Sequence, residues 1–212
     1  MKSTNMRGIG VIAEQLCDHE LHVFLLPYER RQKRRPLRDV LGIYLGIPGS
    51  EVGLVDGEFG RPELDQRHST ALGFNWSHSG DFALIAIGGH CTPGIDIERL
   101  RDRPRALAIA ERYFCKEEFD GLTSMSEETR SAEFLRLWTA KEAVLKALGR
   151  GIAFGLDRLH VTSVTGRLVL RWIDEEDVSR WQLQRLDVGA DYVGALAWRG
   201  SARKIRCWTI AV

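Results

Sequence analysis

The order in which helical and strand-like segments follow one another narrows the folds open to this chain more than any other feature. Three stretches in the middle read as helix in direct succession, at about 105–113, 117–122 and 127–148. Outside them, only Leu37, Val40, Leu41, Tyr44 and Leu45 recur at helical spacing, after Pro36 and up to Gly46. The remaining pattern is strand-like: 22–27, 73–79, 82–87 and 94–98 before the helical block, then 159–162, 168–172, 181–186, 192–198 and 205–210 after it. Strands alternating one by one with helices would point to a doubly wound parallel sheet. Blocks of each point to an α+β fold.

A length of 212 residues accommodates one large domain or two small ones. The polar, proline-containing stretch Arg101-Asp-Arg-Pro104 is the best boundary, giving an N-terminal half of 1–100 and a C-terminal half of 101–212. Residues 1 to about 22 carry little pattern. Hydrophobic residues at 44% and charged residues at 28% fit a globular protein, and a formal charge of +1 predicts no bulk attraction to nucleic acid or anionic membrane. No apolar run approaches the roughly 18 residues of a spanning helix, and no h-region follows the N-terminus, so cytoplasmic residence is expected. Cys17, Cys91, Cys115 and Cys207 form no C-x-x-C pair and have no histidine cluster beside them in sequence. They read as small apolar residues rather than zinc ligands.

Four features can carry chemistry. Asp96 and Glu98 sit two apart on a predicted strand, so both carboxylates leave one face about 6–7 Å apart, while Ile95 and Ile97 face the other way. A hard, oxygen-liganded cation such as Mg²⁺ would relieve their repulsion; a solvated sheet edge is the plain alternative. On the long helix, Phe134, Leu137, Trp138, Leu145 and Leu148 form an apolar stripe, and Glu142 and Lys146 share a face in the stabilising order. They read either as a surface ion pair or as a base and a charge stabiliser beside a metal. Asn75-Trp-Ser-His-Ser79 lacks the glycines of a nucleophile elbow, and Ser77 and His78 would point to opposite faces of a strand, which suits phosphate contact better than serine catalysis. Arg30 to Arg38 holds six basic residues in nine, a solvated face or a phosphate clamp.

Taken together, Gly60-Arg-Pro62, Phe74-Asn-Trp-Ser-His-Ser-Gly80, Gly94-Ile-Asp-Ile-Glu98, Arg112-Tyr-Phe114 with Glu118, and Trp138-Thr-Ala-Lys-Glu-Ala-Val-Leu-Lys-Ala-Leu-Gly149 resemble the 4'-phosphopantetheinyl transferases of the surfactin-type (Sfp-like) branch. The likeness spans roughly residues 34–151. It implies a pseudo-dimer of two similar α+β halves with the site in the cleft between them, acting as a monomer. It implies Mg²⁺-dependent transfer of the phosphopantetheine arm of coenzyme A to a serine of an apo acyl or peptidyl carrier protein, releasing adenosine 3',5'-bisphosphate, with neither nucleic acid nor membrane as partner. By the same resemblance Asp96, Glu98 and Glu142 match metal ligands. Glu142 also matches the general base, directly or through a water, and Lys146 the lysine that stabilises or protonates the leaving phosphate. Arg61, Ser77 and His78 match coenzyme-binding positions, His78 toward the 3'-phosphate. Arg34 matches the arginine near that phosphate, with Arg30 and Lys33 competing for the place. A non-catalytic coenzyme A, carrier-protein or nucleotide binder is the other class open to this sequence, and such a binder would not need Glu142.

Overall fold

A computed structural model describes residues 1–68 and 70–211. In chain order its elements are β1 (Lys2–Thr4), α1 (Met6–Ala13), β2 (Glu20–Pro27), α2 (Arg35–Leu45), β3 (Leu54–Asp56), β4 (Pro62–Leu64), β5 (Leu72–Ser79), β6 (Phe82–Gly89) and β7 (Gly94–Arg99). The helical block follows as α3 (Ala106–Tyr113), α4 (Lys116–Thr123) and α5 (Glu127–Leu148), and then β8 (Leu159–Val164), β9 (Arg167–Ile173), β10 (Trp181–Leu186), β11 (Tyr192–Arg199) and β12 (Lys204–Ile210). The α+β class read from the block order is the one observed. Among the described residues, no helix is long and apolar enough to cross a membrane.

The chain forms two compact units, Met1–Pro93 with the segment from Ala202 onward, and Gly94–Ser201. This differs from a division near residue 101 at both ends. β7 hydrogen-bonds to β11, almost a hundred residues later, and therefore belongs with the second unit. β12 runs parallel to β2 and so closes the first. Neither pairing leaves a local trace in composition, which is why a polar, proline-containing stretch was the more visible boundary.

The first unit is a five-stranded mixed sheet in the order β1-β12-β2-β6-β5, with a β3-β4 hairpin beside it. Phe24, Ile85 and Ile87 on the sheet pack with Leu37, Val40 and Leu41 of α2 and with Trp208 of β12. Pro36 lies in the first turn of α2, and Gly46 ends the helix in the left-handed conformation at φ 68°. The N-terminal segment is ordered where the sequence showed little pattern. Asn5 caps α1 by accepting from the Gly8 amide at 2.9 Å, and β1 exists through its parallel pairing with β12.

The second unit is an antiparallel sheet in the order β10-β11-β7 with a β8-β9 hairpin, and α5 packs on β7 and β11. Helix α5 runs from Glu127 to Leu148 as the periodicity predicts and ends at Gly149 with φ 81°. Its stripe residues Phe134, Leu137 and Leu145 are buried, Phe134 stacking on Phe114 at 5.3 Å. Each such side chain contributes about 1.5–3 kcal/mol by leaving water. The stripe is nevertheless too narrow a description. Every residue from Thr139 to Leu145 is buried, so this turn is enclosed on all sides.

Candidate metal centre and coenzyme-binding residues

The close seating of α5 on the sheet is what assembles the carboxylates. Gly94, Asp96 and Glu98 alternate onto one face of β7, and their β11 partners are Ala197, Ala195 and Val193. Those three belong to the same apolar cluster as Ala140, Ala143 and Val144 of α5, so this is the face the helix covers. Small side chains let the backbones approach. A Cβ placed on Gly94 would stand only 2.0 Å from the Ala143 carbonyl oxygen and 2.3 Å from the Ala147 nitrogen. Any larger residue there would lift α5 away from Asp96.

With the helix pinned at 143–147, Lys146 donates to Asp96 Oδ1 at 2.7 Å and to the Ile95 carbonyl at 3.3 Å. Glu142, one turn earlier, lies near enough to Asp96 and Glu98 for their charges to act on it. Its carboxyl is pushed up to about 7, first by burial and then by Asp96 and Glu98, against the opposing pull of Lys146. Asp96 and Glu142 are buried and Glu98 is partly open, with Arg103 Nη2 3.9 Å from its Oε2. Three carboxylates thus share one small region with a single lysine. Oxygen-only donors of this kind, held together against their own repulsion, suit a hard divalent cation. The donor set fits Mg²⁺.

The remaining predicted residues lie in the first unit. Arg34 precedes α2 and forms a short ion pair with Asp56 of β3. Arg61 follows the turn at Gly60, where φ is 72°, and donates to the Phe74 carbonyl at 2.6 Å and the Pro93 carbonyl at 3.4 Å. Ser77 and His78 are consecutive on β5 and opposite Leu84 and Ala83 of β6, so their side chains leave opposite faces. The arrangement excludes an adjacent Ser-His nucleophile pair. His78 is exposed at its edge, its ring stacked on Tyr28 at 4.5 Å and 25° and tilted against Trp76 at 5.3 Å. Both aromatics hold the imidazole in place without covering it.

Comparison with known proteins bears directly on these residues. The sequence model of the 4'-phosphopantetheinyl transferase superfamily matches residues 92–197, half of the chain and the part that holds all three carboxylates and Lys146. A Synechocystis sp. protein assigned as a 4'-phosphopantetheinyl transferase is 33% identical over 172 residues, 78% of this chain and 69% of its own length. The chain belongs to the 4'-phosphopantetheinyl transferase superfamily. The transferase HetI of Nostoc sp. is 40% identical over 134 residues, 61% of this chain and 56% of its own, and Sfp of Bacillus subtilis is 31% identical over 128 residues, 59% and 54%. The chain therefore aligns with between about half and two thirds of the length of these transferases.

Within the region matched by the transferase superfamily, sequence reasoning missed two partnerships. Lys141 is fully buried, with its Nζ 2.6 Å from Glu118 Oε2, and it donates to the Leu156 and Leu159 carbonyls at 2.7 and 2.5 Å. Glu118 also accepts from the Val161 amide at 2.8 Å, so the pair ties α4 and α5 to the start of β8. The signal was present. Lys141 lies four residues after Leu137 and four before Leu145, a charge on the apolar stripe, and a lysine there needs a buried partner. Arg103 was the other omission, and nothing in its local sequence pairs it with Glu98.

Proposed function

We propose that this transferase moves the 4'-phosphopantetheine arm of coenzyme A onto a serine of an apo acyl or peptidyl carrier protein, with Mg²⁺ as cofactor. The observation that carries the reading is the convergence of Asp96, Glu98 and Glu142 around Lys146. Asp96, Glu98 and Glu142 would hold the ion, which when bound neutralises charge on the pyrophosphate as its phosphorus–oxygen bond breaks. The serine Oγ forms the new bond to phosphorus, and its proton passes to the Glu142 carboxylate. Adenosine 3',5'-bisphosphate leaves as the old bond opens, and the Lys146 ammonium stabilises or protonates the departing oxygen. Burial raises the Glu142 carboxyl toward neutrality in the metal-free protein, and a bound ion would keep it ionised and ready to take the serine proton, directly or through a water.

Coenzyme recognition falls to Arg61 at the pyrophosphate end, Ser77 and His78 on β5, and Arg34 near the 3'-phosphate. The exposed, aromatic-braced ring of His78 supports its part in this. The proposal includes action as a monomer in the cytoplasm without nucleic acid or membrane, which sedimentation and cell fractionation test. The activity is tested by incubating the protein with coenzyme A, Mg²⁺ and a panel of apo carrier proteins from fatty-acid, polyketide and peptide synthesis. Intact-mass measurement is expected to show at least one carrier gaining the mass of the arm. No gain on any carrier, with the protein folded, would overturn it.

A further inference from the structure

We propose that Cys115, Glu117 and His160 form a second metal site, specific for a thiophilic divalent cation of the zinc type and separate from the carboxylate centre. Cys115 and Glu117 flank the start of α4 and His160 lies on β8, yet Sγ, a carboxylate oxygen and a ring nitrogen all fall within 4.8 Å of one another. Thiolate, imidazole and carboxylate are the donors zinc takes, and three of them leave a fourth position for water. Bond lengths of 2.0–2.3 Å place tetrahedral ligands about 3.3–3.8 Å apart, so closure around an ion needs shifts of roughly an ångström. Side-chain rotation supplies such a shift without moving either backbone.

Two further observations favour a built site. The backbones carrying the ligands are already fixed to each other, because Glu118, next to Glu117, accepts from the amide of Val161, next to His160, at 2.8 Å. Glu117 is exposed and its carboxylate takes hydrogen bonds from its own amide and from the Cys115 side chain, with His160 close enough for its charge to act on it, so the donors already face one another; His160 is partly exposed and has an edge contact with Trp172. A cavity of about 330 Å³ lined by Glu117 and His160 gives an ion access. The other thiol–imidazole grouping, Cys17, His19 and Glu20, differs on this point. Its Glu20 carboxylate is buried against Arg206 at 2.9 Å, so the third donor is engaged. The ion at Cys115 would clamp α4 to β8 and stabilise the second unit by mass action.

Co²⁺ is the probe, titrated into the metal-free 212-residue chain with millimolar Mg²⁺ present to occupy the carboxylates. The expected result is one equivalent of Co²⁺ giving thiolate-to-cobalt absorption and tetrahedral d–d bands, displaced by one equivalent of Zn²⁺. Cys115→Ser should abolish the thiolate band, His160→Asn should weaken Co²⁺ binding at least tenfold, and Cys17→Ser should change neither. Basal transfer without zinc should be the same in all three. Because Cys115 is buried, circular dichroism must show its variant folded; His160→Asn, at a partly exposed position, decides the matter if it is not. Absence of a thiolate band, its loss in Cys17→Ser, its persistence in Cys115→Ser, or an unchanged Co²⁺ affinity in His160→Asn would overturn the assignment.

Discussion

Two lysines five residues apart on α5 face opposite electrostatic situations. Lys141 has no exposed surface; one carboxylate balances its charge, and two carbonyls and Glu118 take its protons. Lys146 keeps 26% of its side chain exposed and stands against Asp96, with Glu142 and Glu98 close by. The first arrangement is neutral and closed, and it fastens secondary-structure elements. The second gathers three carboxylates beside one lysine, with Arg103 near Glu98, and a concentration of carboxylates of this kind suits a bound cation. On the proposed mechanism the same residue type on one helix serves structure in one turn and chemistry in the next, and the count of surrounding carboxylates separates them.

The contrast breaks most visibly at the carboxylates. Glu142→Gln should lower the turnover number by about a thousandfold or more, since on the proposed mechanism it removes both a ligand and the base. The melting temperature should hold or rise, because a buried source of repulsion has gone. Asp96→Ala should likewise abolish transfer with the fold largely kept. Steady-state kinetics beside thermal denaturation distinguishes this from a structural role, in which stability and activity would fall together.

Lys141→Met should do the reverse. It leaves Glu118 charged and buried, at a cost of about 3–5 kcal/mol, which for a chain of this size is a drop of roughly 6–20 °C in melting temperature. Transfer per folded molecule should be nearly unchanged. Adding Glu118→Gln should recover part of the loss while keeping the hydrogen bond from Val161. Equal stability in the single variant would remove the basis of the comparison.

A smaller effect ties Glu142 to pH. In the metal-free protein its folded pKa of about 7 exceeds the ordinary 4.5, so the folded chain holds a proton that the unfolded chain has released. That contribution is fully present below about pH 4.5 and is lost as pH rises through 7. Mg²⁺ must displace the same proton. It should therefore raise the melting temperature by about 3 °C or more at pH 8 and by less than about 1 °C at pH 5.5. A shift independent of pH would place the ion elsewhere.

The least effect is expected in the first unit. Arg34→Ala should weaken coenzyme A about tenfold, the scale of one charge-assisted hydrogen bond, and leave 3'-dephospho-coenzyme A nearly unaffected. Equal weakening of both would transfer the role to Arg30 or Lys33, or make Arg34 a partner of Asp56 only.

Much of this was legible in the sequence where one element carries its own signal. Helix α5 appears in full because 22 residues of periodicity end at a glycine. β7 shows its two faces through the Ile95/Ile97 and Asp96/Glu98 alternation. What could not be read is whatever depends on a distant partner. β1 has three residues and is defined by β12 at the other end of the chain. The unit boundary follows strand pairing rather than composition. Gly94 reads as an ordinary strand glycine until α5 is laid against it, and only then does it explain why Glu142 meets Asp96.

The most direct measurement is a crystal structure of the protein with coenzyme A and Mg²⁺. Oxygens of Asp96, Glu98 and Glu142 should each lie within about 2.0–2.2 Å of one ion that also touches the pyrophosphate. An ion bound elsewhere, or a turning-over enzyme with these carboxylates directed apart, would contradict the account.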